Sequence, residues 1–362
     1  MSQVTELWVE RAELRNTRVV NSDFTELEAG EVRVAIEKFA LTSNNVTYAV
    51  SGDKIGYWQF YPAEDEWGKV PVWSIAEVVE STVPEISCGE RLYGFFPMAS
   101  HAVLQPGAIT DQQFFDVSDH RRELPGLYNL YRRTETEAEF LREMEDERCL
   151  LFPLFATSFL LYDYLLDNAM FGAGQVLIGS ASSKTGFGLA HLLHHDPELS
   201  QRVVALTSPG NVNFVNELNI YDQVVCYGSE DEIDSSVAAA YVDMSGDAGL
   251  TSKIHHHLQD QLVESCAVGA THWEDLGAAE PVPGVQPQLF FAPAQITKRD
   301  AEWGAGVVMS KAMNASADIA RAHAGDLEIE RIKGAEAAAA AWQDMVANRV
   351  SPRRGLMLSL LD

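Results

Sequence analysis

The sequence predicts an α/β protein in two parts, a barrel-like β domain followed by a doubly wound parallel sheet. Its 362 residues exceed what one ordinary hydrophobic core organises. Up to about residue 106, short runs of alternating apolar and polar residues are separated by Gly and Pro, the pattern of a small β barrel. From Leu150 onward, near-continuous apolar strands alternate with helical patterns, as in a parallel sheet buried on both faces.

The first part contains Val32–Ile36, Ser74–Glu80 and Arg91–Phe96 as strands. Residues 107–150 differ: Thr134–Glu139 and Arg142–Glu147 are polar and helical in pattern, an insertion that is either a lid or a solvated surface helix. In the second part, Leu154–Asp167 is apolar at helical spacing. Strands follow at Gln175–Gly179, Arg202–Thr207, Gln223–Tyr227, Ala239–Met244 and Leu262–Gly269, with a helix over Asn211–Leu218. Thr271–Pro287 is a loop, Leu289–Ala292 a further strand, and Gly304–Ala324 and Ala335–Ala347 are helices. Gly355–Leu360 is the final strand. His255–His257 fits a helix surface.

Bulk properties narrow the function. The formal charge is −27, from 53 acidic against 26 basic residues, which argues against a nucleic-acid partner. Such acidity reflects solubility or a salty habitat. No apolar run approaches the ~20 residues of a membrane span, and Met1–Glu6 has no signal-peptide character. Cys88, Cys149, Cys226 and Cys266 are scattered, as free thiols of a cytoplasmic protein would be.

The most informative stretch is Gln175–Ala190. An apolar strand stops at Gly179-Ser180-Ala181-Ser182-Ser183-Lys184-Thr185-Gly186 and resumes as a helix. A helix start offers free N–H groups and a positive dipole end, which suit a phosphate. On the spacing of the dinucleotide fingerprint, Ser180 and Ser183 stand where glycines are expected and Gly186 keeps the third place. Lys184 and Thr185 add a charge and a donor. The alternative is a tight turn without ligand. The second strand ends Thr207-Ser208-Pro209-Gly210-Asn211, without the carboxylate that selects NAD, so NADP is the favoured cofactor and NAD the less favoured one. An Ser/Asn helix cap would account for the same residues.

This order of elements resembles the medium-chain dehydrogenase/reductase superfamily. Val32–Ile36, Thr42–Tyr48, Ala76–Glu80 and Ile86–Gly94 resemble its N-terminal domain, which is similar to the GroES co-chaperonin. Ala335–Leu360 resembles its closing helix and strand. More narrowly, Ser180–Thr185, Thr207–Asn211 and Val268–Trp273 resemble an uncharacterised bacterial branch, zinc-independent and quinone-oxidoreductase-like. The resemblance implies a GroES-like domain over residues 1–150 with a helical insertion at about 107–150, a Rossmann nucleotide-binding domain over 151–300, and a return to the catalytic domain over 301–362. It also implies a homodimer paired through the last Rossmann strands.

Zinc-dependent members use Cys, His and carboxylate ligands. Here the segment matching the first ligand reads Leu41–Tyr48 without Cys, and no Cys cluster exists, so no metal is expected. Asn44, Asn45 and Tyr48 lie on the segment that lines the substrate cleft in the family. Tyr48 resembles the tyrosine of quinone-reductase members, a donor of a hydrogen bond or proton, with a packed core tyrosine as the alternative. Tyr57, Trp58, Phe60, Tyr61, Trp67 and Trp73 form either a substrate pocket or aromatic core. Thr271 and His272 follow the fifth strand at the ligand-binding edge, His272 as a candidate acid or as a loop histidine without a role. Lys298 and Arg299 are candidate anion ligands or plain surface charge.

Catalytic candidates are therefore Tyr48, Asn45 and His272. Cofactor candidates are Ser180, Ser182, Ser183, Lys184, Thr185, Gly186, Thr207, Ser208, Asn211 and Thr271. The expected activity is zinc-independent, NADPH-linked reduction of a small-molecule carbonyl or activated alkene. The alternatives are a non-redox lyase or hydratase on the same scaffold, and a nucleotide-binding protein without catalysis.

Overall fold

A computed structural model describes residues 3–269 and 281–361. The chain forms two compact units, Met1–Leu150 with Glu328–Asp362, and Leu151–Leu327. Strands β1 (Gln3–Glu10), β2 (Thr17–Asp23) and β3 (Val32–Leu41) precede helices α1 (Ser43–Val50) and α2 (Gly52–Ile55). Next come β4 (Trp67–Gly68), β5 (Pro71–Ser81), β6 (Arg91–Pro97), β7 (His101–Leu104), β8 (Pro106–Gly107), β9 (Gln113–Asp116) and β10 (Leu130–Arg133), then α3 (Glu139–Glu143) and α4 (Glu145–Leu150). The second unit runs α5 (Phe152–Asp167), β11 (Gln175–Gly179), α6 (Lys184–His195), β12 (Arg202–Thr207), α7 (Val212–Glu217), β13 (Gln223–Cys226), β14 (Ala239–Asp243), α8 (Ala248–Leu258), β15 (Leu262–Ala267), β16 (Gln288–Leu289), α9 (Ala292–Trp303) and α10 (Val307–Ala322). β17 (Glu328–Lys333), α11 (Ala335–Val346) and β18 (Arg354–Ser359) return to the first unit.

In the first unit, a small sheet has the order β2-β1-β4 and a large one the order β17-β18-β3-β5-β6-β10-β9-β8, with β7 also pairing with β3. β3 is central and mostly buried, which explains why Val32–Leu41 is richer in apolar residues than an alternating strand. Trp342 of α11 is fully buried and donates its indole N–H to the Leu14 carbonyl at 2.7 Å. β8, β9 and β10 extend the large sheet, so residues 107–133 add strands joined by short turns, and α-helix is confined to the part that follows. That part is fastened down: the Arg148 guanidinium lies 3.7 Å over the Tyr93 ring and pairs with Glu137, and Arg91 pairs with Glu37 and Glu145 at 2.5 Å.

The second unit carries a fully parallel sheet of order β13-β12-β11-β14-β15-β16. The chain winds outward from β11 through β12 to β13, then starts again on the other side with β14. The strand order therefore reverses between β11 and β14, where Gly179 is paired with Asp243. In open α/β sheets the crevice at the carboxyl ends of two such strands is the ligand-binding position.

Three expectations change. The strand read over Leu289–Ala292 is only β16, because Ala292 with Pro293 at a helix start opens α9. β17 was not anticipated: its sequence Glu-Ile-Glu-Arg-Ile-Lys is an exposed, charged edge strand with no apolar run to betray it. His255 is not on a helix surface. It is fully buried on α8, its Nε2 2.9 Å from the Ser265 hydroxyl and its Nδ1 3.1 Å from the Pro283 carbonyl.

Candidate nucleotide site and tyrosine cluster

The loop between β11 and α6 closes the switch point. Ser180, at the first glycine place, has φ +52 in the left-handed region. Only glycine takes that conformation freely; a side chain costs roughly 1–2 kcal/mol. The strained turn is braced from the far side of the sheet. The Ser180 N–H donates to the Tyr227 phenol oxygen at 3.0 Å, and the Tyr221 hydroxyl donates to the Ala181 carbonyl at 2.8 Å. The Ala181 N–H donates to the Leu206 carbonyl at 3.0 Å. Ser183, at the second glycine place, turns its hydroxyl inward as the cap of α6, accepting from the Gly186 N–H at 3.1 Å. Gly186 cannot be larger: a Cβ there would lie 2.8 Å from the Ser180 carbonyl and 3.0 Å from the Ser183 hydroxyl.

Around this loop, the Asn211 amide donates to the Ser182 hydroxyl at 3.0 Å, joining the ends of β11 and β12. Ser208 starts the short turn Pro209–Asn211, its carbonyl accepting from the Asn211 N–H at 3.0 Å. The Thr207 hydroxyl is buried at the end of β12 and has no partner among the described residues. The Thr185 carbonyl accepts from the Ser158 hydroxyl at 2.8 Å. Lys184 keeps a partly exposed side chain, yet desolvation lowers its ammonium to about 8. Thr271 and His272 lie outside the described residues.

Asp243 was missed by the sequence reading. It closes β14, and its carboxylate accepts from the Ser245 N–H at 2.8 Å, the Ser245 hydroxyl at 2.6 Å and the Gly246 N–H at 3.1 Å. Burial pushes this carboxyl above its ordinary range. A Cβ on Gly179 would lie 2.5 Å from Asp243 Oδ1, so the backbone of β11 passes directly against it. The signal in the sequence for both Asp243 and Tyr227 was a polar residue ending an apolar strand at the carboxyl edge. The residues fit a dinucleotide pyrophosphate: a turn closed so tightly on itself that position 186 must be glycine, the positive end of α6, one lysine, and an orphaned buried hydroxyl at the end of β12 where a ribose would be met.

In the first unit, α1 begins with a capping box in which the Asn45 side-chain oxygen accepts from the Thr42 N–H at 2.7 Å. Its amide nitrogen donates to the Pro71 carbonyl at 3.0 Å. Asn45 therefore holds backbone with both ends of its amide. Its neighbour Asn44 does face Tyr48, donating to the phenol oxygen at 2.7 Å, and the Trp73 indole N–H donates to it at 3.4 Å. Tyr48 is buried, which pushes its phenol well above the ordinary tyrosine value. Its ring lies 4.5 Å from Tyr57 and 5.3 Å from Phe95. Tyr57, Phe60, Tyr61 and Phe95 pack with it as core, while Asn44, Trp73 and Tyr128 are partly exposed.

Lys298 and Arg299 are committed to structure. Arg299 pairs with Asp163 at 2.7 Å, Asp167 at 3.1 Å and Glu302 at 2.5 Å, and Lys298 pairs with Asp167. Among the described residues, no group of three His, Cys, Asp or Glu is arranged to hold a metal, and no helix is long and apolar enough to cross a membrane.

A family described as "Protein of unknown function (DUF2855)" matches residues 39–351. No curated protein sequence matches the chain. Solved structures do. CurA in complex with NADPH from Vibrio vulnificus is 12% identical, with 100% of this chain and 100% of that one covered and a TM-score of 0.58. YHDH of E. coli K-12 with bound NADPH is 14% identical, covering 98% and 100%, with a TM-score of 0.55. The quinone oxidoreductase from Coxiella burnetii is 13% identical, covering 99% and 100%, with a TM-score of 0.50. Likeness at this identity shows the fold alone, a mixed α/β fold of two units that these proteins share.

Proposed function

We propose that this chain, which belongs to the family described as protein of unknown function (DUF2855), is a zinc-independent, NADPH-dependent reductase of a carbonyl or activated alkene. The observation that carries this reading is the β11–α6 loop at the strand-order reversal, with Gly186 packed where no Cβ fits and Lys184 beside it. NADPH in complex with CurA and with YHDH, which share the fold, supports the same cofactor. β12 ends at Thr207 and is followed by Ser208 and Asn211, with no carboxylate to repel a 2′-phosphate.

When bound, the nicotinamide supplies a hydride. Ser182, Thr185 and the N-terminus of α6 would hold the pyrophosphate, Lys184 would neutralise part of its charge, and Thr207 would meet a ribose hydroxyl. Tyr48 is the proton donor. The Asn44 and Trp73 N–H groups both aim at its oxygen, so they stabilise the phenolate left after proton transfer. Calorimetric titration with NADPH and NADH tests the reading. NADPH is expected to bind more tightly; no binding of either at millimolar concentration overturns it. Tyr48→Phe is expected to lower turnover about 10²–10⁴-fold while NADPH affinity is kept.

A further inference from the structure

Asn44 and Trp73 both aim an N–H at the Tyr48 oxygen, but they are held there differently. Asn44 donates at 2.7 Å from one turn away on α1, so the helix itself sets its position. Trp73 donates at 3.4 Å from β5. A contact of that length to a neutral phenol is weak, and it gains strength only when the oxygen carries charge. Something other than this bond must aim the indole.

The strand register supplies the first part. β5 and β6 pair antiparallel with Trp73 opposite Phe95 and Ile75 opposite Tyr93, so Trp73 and Tyr93 are diagonal neighbours on one face of the sheet. Their rings stack, with centroids 5.4 Å apart and planes 15° apart, an offset arrangement that the ring quadrupoles favour. The second part comes from the segment between residues 107 and 150. Arg148 of α4 is buried, and its guanidinium lies 3.7 Å over the Tyr93 ring. Its Nη2 donates to Glu137 Oε1 at 2.6 Å, and its Nη1 donates to the other oxygen of the same carboxylate. A guanidinium can do both at once because it is flat: its face covers a ring while its edge grips a carboxylate. Guanidinium, phenol ring and indole form a column, and the indole at its end carries the N–H that meets Tyr48.

We propose that Arg148 is a positioning residue for the reduction: with Tyr93 it clamps the Trp73 indole, so that the indole N–H already faces the Tyr48 oxygen when proton transfer turns that oxygen into a phenolate. This rests on the reductase reading above. A donor fixed in advance needs little reorganisation as charge develops, and its bond is stronger to the phenolate than to the phenol. That difference is what accelerates the step. The end of the inserted segment is then neither a lid nor a solvated surface helix; it fixes an angle at the reacting phenol.

The test uses the full chain with NADPH and 1,4-naphthoquinone, well below each variant's melting temperature. Trp73→Phe keeps a ring in the stack and removes the N–H, and kcat is expected to fall about 10–100-fold with NADPH affinity and quinone KM unchanged. Arg148→Met combined with Glu137→Gln loosens the clamp without leaving a buried carboxylate unpaired, and kcat is expected to fall about 3–10-fold with the same unchanged KM. The solvent deuterium isotope effect on kcat should rise in both, because proton transfer has become slower. Adding the Arg148 and Glu137 changes to Trp73→Phe should lower kcat no further, since the clamp acts through the indole. Arg148→Lys keeps the charge beside Glu137 but cannot lie flat on the ring; it should show the clamp's loss of kcat, and it carries the test if the combined variant does not fold. Arg148 variants with wild-type kcat, or with the same loss whether or not Trp73 is present, overturn the clamp and leave the reductase reading intact. Wild-type protein that binds no NADPH, or binds it without reducing the quinone, overturns both.

Discussion

The backbone N–H of Ser180 ends on the phenol oxygen of Tyr227, 3.0 Å away. The first turn of the candidate phosphate loop is therefore anchored by a residue that follows β13, two strands across the sheet. Tyr227→Phe removes the acceptor and leaves a left-handed serine without its brace. The expected result is a stability loss of about 1 kcal/mol, measured by denaturant unfolding, with NADPH affinity reduced several-fold in calorimetry. Unchanged affinity would mean that the loop keeps its shape without Tyr227.

Gly186→Ala presses a methyl group against the Ser180 carbonyl and the Ser183 hydroxyl. Both belong to the turn itself, so neither can move without opening it. An overpacking cost of about 1–3 kcal/mol is expected, with NADPH binding lost before the fold is. Gly210→Ala, where a Cβ would meet nothing within 4 Å, is the matching control and should bind NADPH normally.

Lys184 gives the site a pH dependence. Its ammonium, lowered to about 8 by desolvation, is charged below that pH and neutral above it. NADPH affinity should fall as pH rises through 8, and Lys184→Met should flatten that dependence, both read by titration between pH 6.5 and about 9.5. Stability moves the opposite way. The unfolded lysine titrates at the ordinary value of 10.5 and so holds its proton over a range where the folded one has released it. The unfavourable burial of charge, full below about 8, is relieved as pH rises towards 10.5, and this group alone makes the fold more stable over that interval.

Arg299 offers the contrast between a structural cation and a ligand. Its partners Asp163, Asp167 and Glu302 already neutralise it, and Asp163 is buried. Arg299→Ala leaves that carboxylate without its charge partner, and a destabilisation of about 3–5 kcal/mol is expected in thermal or denaturant unfolding. NADPH affinity, measured well below the new melting temperature, should not change. A variant of wild-type stability that binds NADPH poorly would return Arg299 to the ligand set.

The parts of the site written in local spacing were legible in the sequence. Gly186 and the strand–turn–helix around it depend on neighbours a few residues away, so their roles could be read in line. Tyr221, Tyr227 and Asp243 were only half legible: Tyr227 and Asp243 each close an apolar strand at the carboxyl edge, but nothing near any of the three in sequence says that it reaches this loop. Asn44 and Asn45 show a finer limit. They are adjacent on one helical turn and chemically identical, and only the packing of α1 against β5 decides that Asn45 holds Pro71 while Asn44 faces Tyr48. The three histidines of α8 are alike in the same way until β15 buries one of them.

The pairing of β18 with β3 carries a consequence for synthesis. Leu356, Met357 and Leu358 register with Leu41, Ala40 and Phe39, joining residues more than three hundred positions apart. The parallel-sheet unit is contiguous and can complete itself while the ribosome is still working. The β-rich unit must wait, with one edge of β3 at Phe39–Leu41 unpaired, until residues 354–359 emerge. An interrupted message would thus leave a finished parallel-sheet unit attached to an unfinished, adhesive one.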